Sequence, residues 1–245
     1  MPIGRARPWS GRLADVFDRP EAPEPRQRWR LVVARDAAAP PAAQRELAEA
    51  WVRTIQAAGL PIAWTDVERT RPRISFGAPL PIGMAADAEL IDVVLVERWP
   101  AWRVREALAG RMPEGWRLVD LVDVWLAGPP LAGRVAAADY RVELEGSPDP
   151  ATLARAAEQL LTADAIPRDR VKGAGTVRYD LRPLLIDVRV EPGPPVVVTT
   201  RTRFHPELGT GRPEEVVAAL GDALGHPIKP ARIVRERLVL LDDLV

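Results

Sequence analysis

The chain has 245 residues, 47% of them hydrophobic and 28% charged, with 34 basic side chains against 34 acidic ones and no cysteine. That composition is globular rather than disordered, and the length accommodates one large domain or two ordinary ones. The missing thiol excludes disulfides, cysteine nucleophiles, cysteine-ligated zinc and cysteine-held iron–sulfur clusters, and no apolar run approaches the roughly 20 residues needed to span a bilayer.

Residues 1–26 are broken by prolines and carry no sustained period, so we read them as an N-terminal extension. They lack the apolar core of a secretory signal, which makes the cytoplasm the expected location and a membrane partner unexpected. "RWRLVVA" (28–34) reads as a strand. Leu47, Trp51, Ile55 and Ala58 then recur at three- and four-residue spacing up to Gly59, the pattern of an amphipathic helix with a glycine stop. A short strand at "RISFG", the loop "APLPIGMAAD", a strand "ELIDVVLVER", a proline-initiated helix "PAWRVREALAGRM" and a strand "WRLVDLVDVWLA" follow. The order β-α-β-β-α-β is that of a ferredoxin-like unit, with two helices on one face of a four-stranded antiparallel sheet.

The second half repeats this order. "DYRVELEG" (139–146) reads as a strand and "DPATLARAAEQLLTAD" as a helix. "TVRYDLRPLLIDVRVEPGPPVVVTTRTRF" is a hairpin-rich region turning at "EPGPP"; "RPEEVVAALGDALG" is a helix from Pro213 to about Gly225, and "ARIVRERLVLL" a closing strand. The expected architecture is therefore α+β, two ferredoxin-like halves at 27–127 and 139–245 joined by a linker at 128–138.

Several motifs stand out in this frame. "RPRISFGAPLPIGMAADAELIDVVL" (71–95) is similar to the signature of a bacterial radical SAM-linked family of unknown function. In that family a Pro-basic-apolar-Ser-Phe segment precedes a Pro-Leu-Pro-x-Gly turn and a Glu-x-x-Asp strand. Further matches are Lys172 before "YDLRPLL", "GTGRPEEVVAAL", and "RIVRERL" near the end, so the resemblance covers roughly residues 28–240. It implies a companion of a cobalamin-type radical SAM protein in an RNA-processing or ribosomal setting. Without cysteine this chain cannot hold the cluster of such an enzyme and would be the partner. The family's Ser-His-Leu-Asp run in the first helix and its Gly-Phe-Asn-Pro run before the proline signature are replaced here by "PPAAQRELAEA" and "TDVERTRPR". That difference favours an adaptor over a catalyst.

Of the 34 basic residues only Lys172 and Lys229 are lysines, leaving 32 arginines. A GC-rich genome accounts for the bias in bulk, yet a clustered subset can still bind phosphate. The candidate RNA or ligand contacts are Arg71, Arg73, Ser75, Lys172, Arg178, Asp180, Arg182 and Arg212. Arg71 and Arg73 alternate into a strand as a phosphate fork, or as a solvated strand start. Arg178, Asp180 and Arg182 fall on one strand face, as a charge ladder or an arginine site oriented by Asp180. Pro79, Pro81 and Gly83 shape a rigid loop, while Glu89 and Asp92, three apart on a strand, point to opposite faces, and one of them anchors an arginine, Arg73 or Arg182. "GTGRPEEV" lacks a P-loop's Lys-Ser/Thr and reads as a helix start, and His205 and His226 have no metal-ligand spacing. No metal or cofactor is expected. Trp51, Trp102 and Trp125 fall on apolar faces as core residues, while Trp9, Trp64 and Trp99 are candidates for exposed stacking groups. The expected function is a non-catalytic RNA- or ribonucleoprotein-binding companion of a radical SAM enzyme. The alternatives are an RNA-modifying enzyme using Asp180 or Glu89 in a concave pocket beside an arginine, and a ligand-free structural scaffold.

Overall fold

The structure, a computed structural model, describes residues 23–66, 68, 71–173 and 175–244. Strand β1 (Gln27–Arg35), whose apolar run is Leu31–Ala34 and whose arginines are also buried, lies between β3 (Ala85–Leu95) and β4 (Trp116–Asp123), antiparallel to both. Strand β2 (Ile74–Phe76) pairs with the far part of β3. Helix α1 (Gln44–Ala57) forms where the three-four spacing places it. The Ala43 N–H donates to Glu46 Oε2 at its start, and Gly59, at φ +68°, follows its end. Its apolar face, with that of α2 (Ala101–Leu108), covers Trp29, Leu31, Val33, Ile91, Val93 and Leu95.

Strand β5 (Val135–Leu144) and helix α3 (Pro150–Thr162) open the second half; Asp149 caps α3 through Thr152 N–H, with Pro150 in the first turn. A separate hairpin, β6 (Pro167–Lys172) with β7 (Gly175–Asp180), precedes β8 (Leu185–Glu191), β9 (Val197–His205), the two-residue β10 (Gly209–Thr210), helix α4 (Pro213–Leu224) and β11 (Pro230–Leu240). Helix α4 ends on Gly225 in the left-handed region. Helices α3 and α4 cover Val142, Leu144, Val188 and Val198.

The result is a mixed α+β protein with one nine-stranded, mostly antiparallel sheet. The path runs β10-β9-β5-β11-β3-β1-β4, with β2 on β3 and β8 on β9. Within residues 27–127 the strand order is β4-β1-β3-β2, and in the second half it is β11-β5-β9-β8. The halves meet where β11 runs parallel to β3, through Val234 opposite Ala85 and Arg235 opposite Ala86. A third apolar cluster, including Leu80, Met84, Leu131, Ala138, Tyr140 and Leu238, seals this seam.

Three sequence expectations need correction. Of the expected linker 128–138, residues 131–134 form a 3-10 turn and 135–138 already belong to β5, because Val135 and Ala136 to Ala138 are apolar enough to be buried in the sheet. Strand β7 ends at Asp180, so Arg182 does not share its face: the Asp180 carboxylate accepts the Arg182 N–H and turns the chain into a 3-10 turn at Arg182–Leu184. Trp102 and Trp125 are exposed at 65% and 74%, whereas Trp99 is buried beneath the Arg103 guanidinium. Helix α2 has only eight residues, and its buried positions are Val104 and Leu108, which leaves Trp102 facing out. Trp64 is half-buried, Trp51 is fully buried, and Trp9 lies outside the described residues. No helix among the described residues is long and apolar enough to cross a membrane.

Candidate ligand cleft at the seam of the sheet

The loop at 77–84 crosses from β2 to β3 with little regular hydrogen bonding of its own. Its prolines fix φ, Gly83 takes φ +79°, and Met84 N–H closes a turn on Pro81 O. Two buried arginines hold it from below. Arg235 on β11 donates from Nη1 to Pro79 O (3.0 Å) and from Nη2 to Ala78 O (3.3 Å), and Arg35 on β1 donates to Met84 O (2.8 Å). A guanidinium is suited to this work, because its five fixed N–H groups can serve several carbonyls and a carboxylate at once.

The carboxylate is Glu89. Its two oxygens accept from Arg235 Nε (2.6 Å) and Nη2 (2.5 Å), in a pair whose side chains are 7% and 1% exposed. Burial alone would lower the Arg235 pKa, but the Glu89 carboxylate outweighs it and the net shift is upward, so the guanidinium remains charged. The pair joins strands from opposite halves, with Tyr140 of β5 against Arg235. Burial raises the Tyr140 pKa, which keeps the hydroxyl a neutral donor.

The segment from β10 to α4 faces the loop. Gly211 is required there because a Cβ would stand 2.8 Å from Thr202 Cβ and 2.9 Å from Leu184 O. Its own carbonyl accepts the Thr202 hydroxyl (2.9 Å). Arg170, from the β6–β7 hairpin, donates to Glu215 (2.8 and 2.6 Å) and to Thr210 O (2.9 Å) and lies 4.5 Å over the Tyr179 ring. The Glu215 hydrogen bond raises the Arg170 pKa, so this clamp is charged at any physiological pH. Arg212 occupies the N-cap position of α4; its side chain is exposed and makes no hydrogen bond or ion pair among the described residues.

Between these walls lies a cleft of about 620 Å³, with Pro79 to Pro81 on one side, Thr210 to Glu215 on the other, and Tyr140, Phe204 and Arg235 between them. Its walls are mainly apolar with a few convergent polar groups, the composition of a small-ligand site. Glu89 does not line it but sits under Arg235, beside a second, much smaller cavity against α1.

Of the residues singled out by sequence, the cleft gathers Pro79, Pro81 and Arg212, with Glu89 beneath and Gly83 at the far end of the loop. Others lie elsewhere. Arg71 and Arg73 are exposed and Arg73 O accepts from Val94 N–H, eight residues along β3 from the Ala86 that faces Arg235. At about 3.3 Å per strand residue, that places them roughly 26 Å from the seam. Ser75 pairs across strands with Asp92. Asp92, 1% exposed, accepts from Arg28 Nε and Nη2 (2.9 and 2.6 Å) and from Arg30 Nε and Nη2 (2.7 and 3.0 Å). Both acids thus anchor arginines, but neither is held by Arg73 or Arg182.

Asp180 is a turn residue, accepting from Ile166 N–H (2.7 Å) and Arg182 N–H (3.0 Å). Arg182 donates to Leu161 O and Leu185 O, stapling the end of α3 to β8. Arg178 is exposed on the hairpin; Lys172 pairs through its backbone with Gly175, and its side chain lies outside the described part. Sequence reasoning missed Arg235, Tyr140, Phe204 and Arg170. The one usable signal was Arg235 itself, a cation directly after the apolar pair Ile233–Val234 in the closing strand. Among the described residues no His, Asp or Glu grouping could hold a metal, and His205 Nδ1 accepts two turn N–H groups.

The profile of a family described as "Uncharacterized protein conserved in bacteria (DUF2344)" matches residues 28–216. No curated protein matches the chain. Solved structures similar to it include a Cbf5-Nop10-Gar1 complex (TM-score 0.45, 11% identity, 84% of this chain) and an archaeal box H/ACA sRNP Nop10-Cbf5 complex (0.41, 11%, 83%). An H/ACA RNP bound to a substrate RNA containing 2'-deoxyuridine is similar at TM-score 0.38 and 12% identity over 84% of this chain. This chain spans 48%, 46% and 47% of those chains, and at such TM-scores the likeness assigns neither fold nor activity.

Proposed function

We propose, for a chain that belongs to this uncharacterized bacterial family, a non-catalytic role: binding RNA or a ribonucleoprotein as the companion of a radical SAM enzyme, with the seam cleft as its ligand surface. The observation that carries the reading is the division of charge at the cleft. Glu89 beneath it is committed to Arg235 through both oxygens and Glu215 on its wall to Arg170, whereas Arg212 and Glu214 on the lip are exposed, Arg212 without a side-chain partner among the described residues. A guanidinium without a partner suits a phosphate, while a general base works best where burial and neighbours tune it, and the one carboxylate on the lip that makes no hydrogen bond or ion pair among the described residues, Glu214, is exposed. The two halves are read as ferredoxin-like units at about 27–127 and 139–245, in keeping with their matching strand orders. A cytoplasmic location belongs to the same reading.

One observation favours the enzymatic alternative: Glu89 and Arg235 do form a buried carboxylate–arginine pair, directly below a concave site.

The test is a pull-down of tagged protein from its native lysate, with and without ribonuclease. A radical SAM protein retained in both conditions, together with RNA in the untreated one, is the expected result. Recovery of neither RNA nor such a partner refutes the proposal.

A further inference from the structure

The cleft's chemistry is narrower than a general affinity for RNA. Arg235 is neutralised by Glu89 and Glu215 by Arg170, so the cation left on its walls is Arg212, with the exposed carboxylate of Glu214, two residues on, lining the same cleft. A groove that tracks a long stretch of backbone needs a row of cations, and this one has a single rim guanidinium. The remaining surface is flat and apolar: the rings of Pro79 and Pro81 on the loop and the half-buried ring of Phe204. The Tyr140 hydroxyl adds a polar group within reach of Arg235. A site with an apolar wall, one neutral hydroxyl, one rim cation and one rim carboxylate able to accept from ring-edge N–H groups matches a ligand with a flat ring, a polar ring edge and one anionic group.

Resting on the RNA-binding reading above, we infer that the cleft receives a single unpaired nucleotide, its base against Phe204 and the proline loop, its edge toward Tyr140 and its phosphate on Arg212. The volume, about 620 Å³, is that of a small-molecule site and admits one such unit rather than a helix. A duplex keeps its bases stacked and cannot offer one, so the site distinguishes single from double strands. The shared chemistry is the nucleotide unit, which a strand or a free mononucleotide can supply.

The experiment uses the full chain and a fluorescein-labelled single-stranded RNA of about twelve nucleotides, with its duplex as comparison, read by anisotropy. Single strand should bind more tightly than duplex. Phe204→Leu keeps apolar volume but removes the ring face and should weaken binding about fivefold or more, as loss of one base stack does. Arg212→Ala, at an exposed residue whose loss threatens no packing, should reduce the slope of log K against log salt by about 0.7, one single-strand phosphate. A 4-thiouridine version of the RNA should cross-link to a peptide within residues 197–215. Displacement by UMP or AMP at molarity equal to the RNA assigns the site to free nucleotides; failure to displace assigns it to a strand. If wild-type protein binds RNA but both variants bind it equally well and the cross-link falls elsewhere, the cleft assignment is overturned while the RNA-binding reading stands. If the wild type binds neither RNA nor mononucleotide, both fall.

Discussion

Replacing Glu89 with glutamine should destabilise the protein more than replacing both members of its ion pair. The carboxylate and Arg235 are 7% and 1% exposed and share two hydrogen bonds, so Glu89→Gln leaves a buried guanidinium facing one acceptor oxygen and an amide donor. Breaking a buried pair from one side costs about 3–5 kcal/mol, because the remaining charge stays desolvated. For a chain of this size that corresponds to a fall in Tm of roughly 6–20 °C. The double substitution Glu89→Met with Arg235→Met removes both charges at similar volume, which by itself is often neutral. It also takes the donors from Ala78 O and Pro79 O; the Pro79 bond is part-buried, so water can replace it, and the loss is about 1–3 kcal/mol for the buried Ala78 carbonyl, smaller than that of the single variant. Urea titration followed by fluorescence of the eight tryptophans, on the two singles and the double, yields the coupling energy. A Glu89→Gln loss below about 1 kcal/mol, or a double variant as unstable as the sum of the singles, would refute the idea that this pair locks the halves.

Asp92→Asn should cost at least about 3–5 kcal/mol, since Arg28 and Arg30 both rely on that carboxylate; a small shift in urea midpoint at constant m-value would contradict this. Both tyrosines should titrate late. Tyr179 is pushed up to about 12 by burial and then by the Glu215 carboxylate, and Tyr140 is raised by burial, so native protein should show little tyrosinate absorbance near pH 10. Because the folded state holds these protons more tightly, their contribution to stability is complete below the unfolded phenol pKa of about 10 and declines as pH rises toward 12. A native titration midpoint near pH 10 would overturn that assignment. Arg170→Ala should release the β6–β7 hairpin from α4 and cost about 1–3 kcal/mol, with faster amide exchange confined to residues 167–180; unchanged exchange there would show that other contacts hold the hairpin.

Much of the fold was legible in the chain alone because its causes are local. The spacing of Leu47, Trp51 and Ile55 with Gly59 behind them specifies α1, Asp149 with Pro150 marks the start of α3, and Pro213 with Gly225 brackets α4. The proline loop was legible as a loop for the same reason. The hairpin strand β6 was not, because "PRDRVK" opens with proline and carries charge at four of the other five positions, and it holds through pairing with β7 and the reach of Arg168 and Arg170 to α4.

The site depended on partners that no local pattern announces. Glu89 and Arg235 are 146 positions apart, and each alone reads as one charge among several in its strand. Asp180 and Arg182 look like a ligand-binding pair and serve as a turn and a staple, because their backbone neighbours claim them first. Trp102 and Trp125 follow the apolar pattern of their segments yet remain exposed, since hydrophobicity records what a side chain favours and only the packing of other elements supplies a surface to cover it. Sequence by itself determined the elements and their order, through periodicity, caps and turn residues acting over a few positions. Only the tertiary structure decided that β11 would lie against β3, and with it which arginines became buried struts and which one, Arg212, was left at the edge of a cleft. Those choices rest on long-range pairing and on the desolvation of charge.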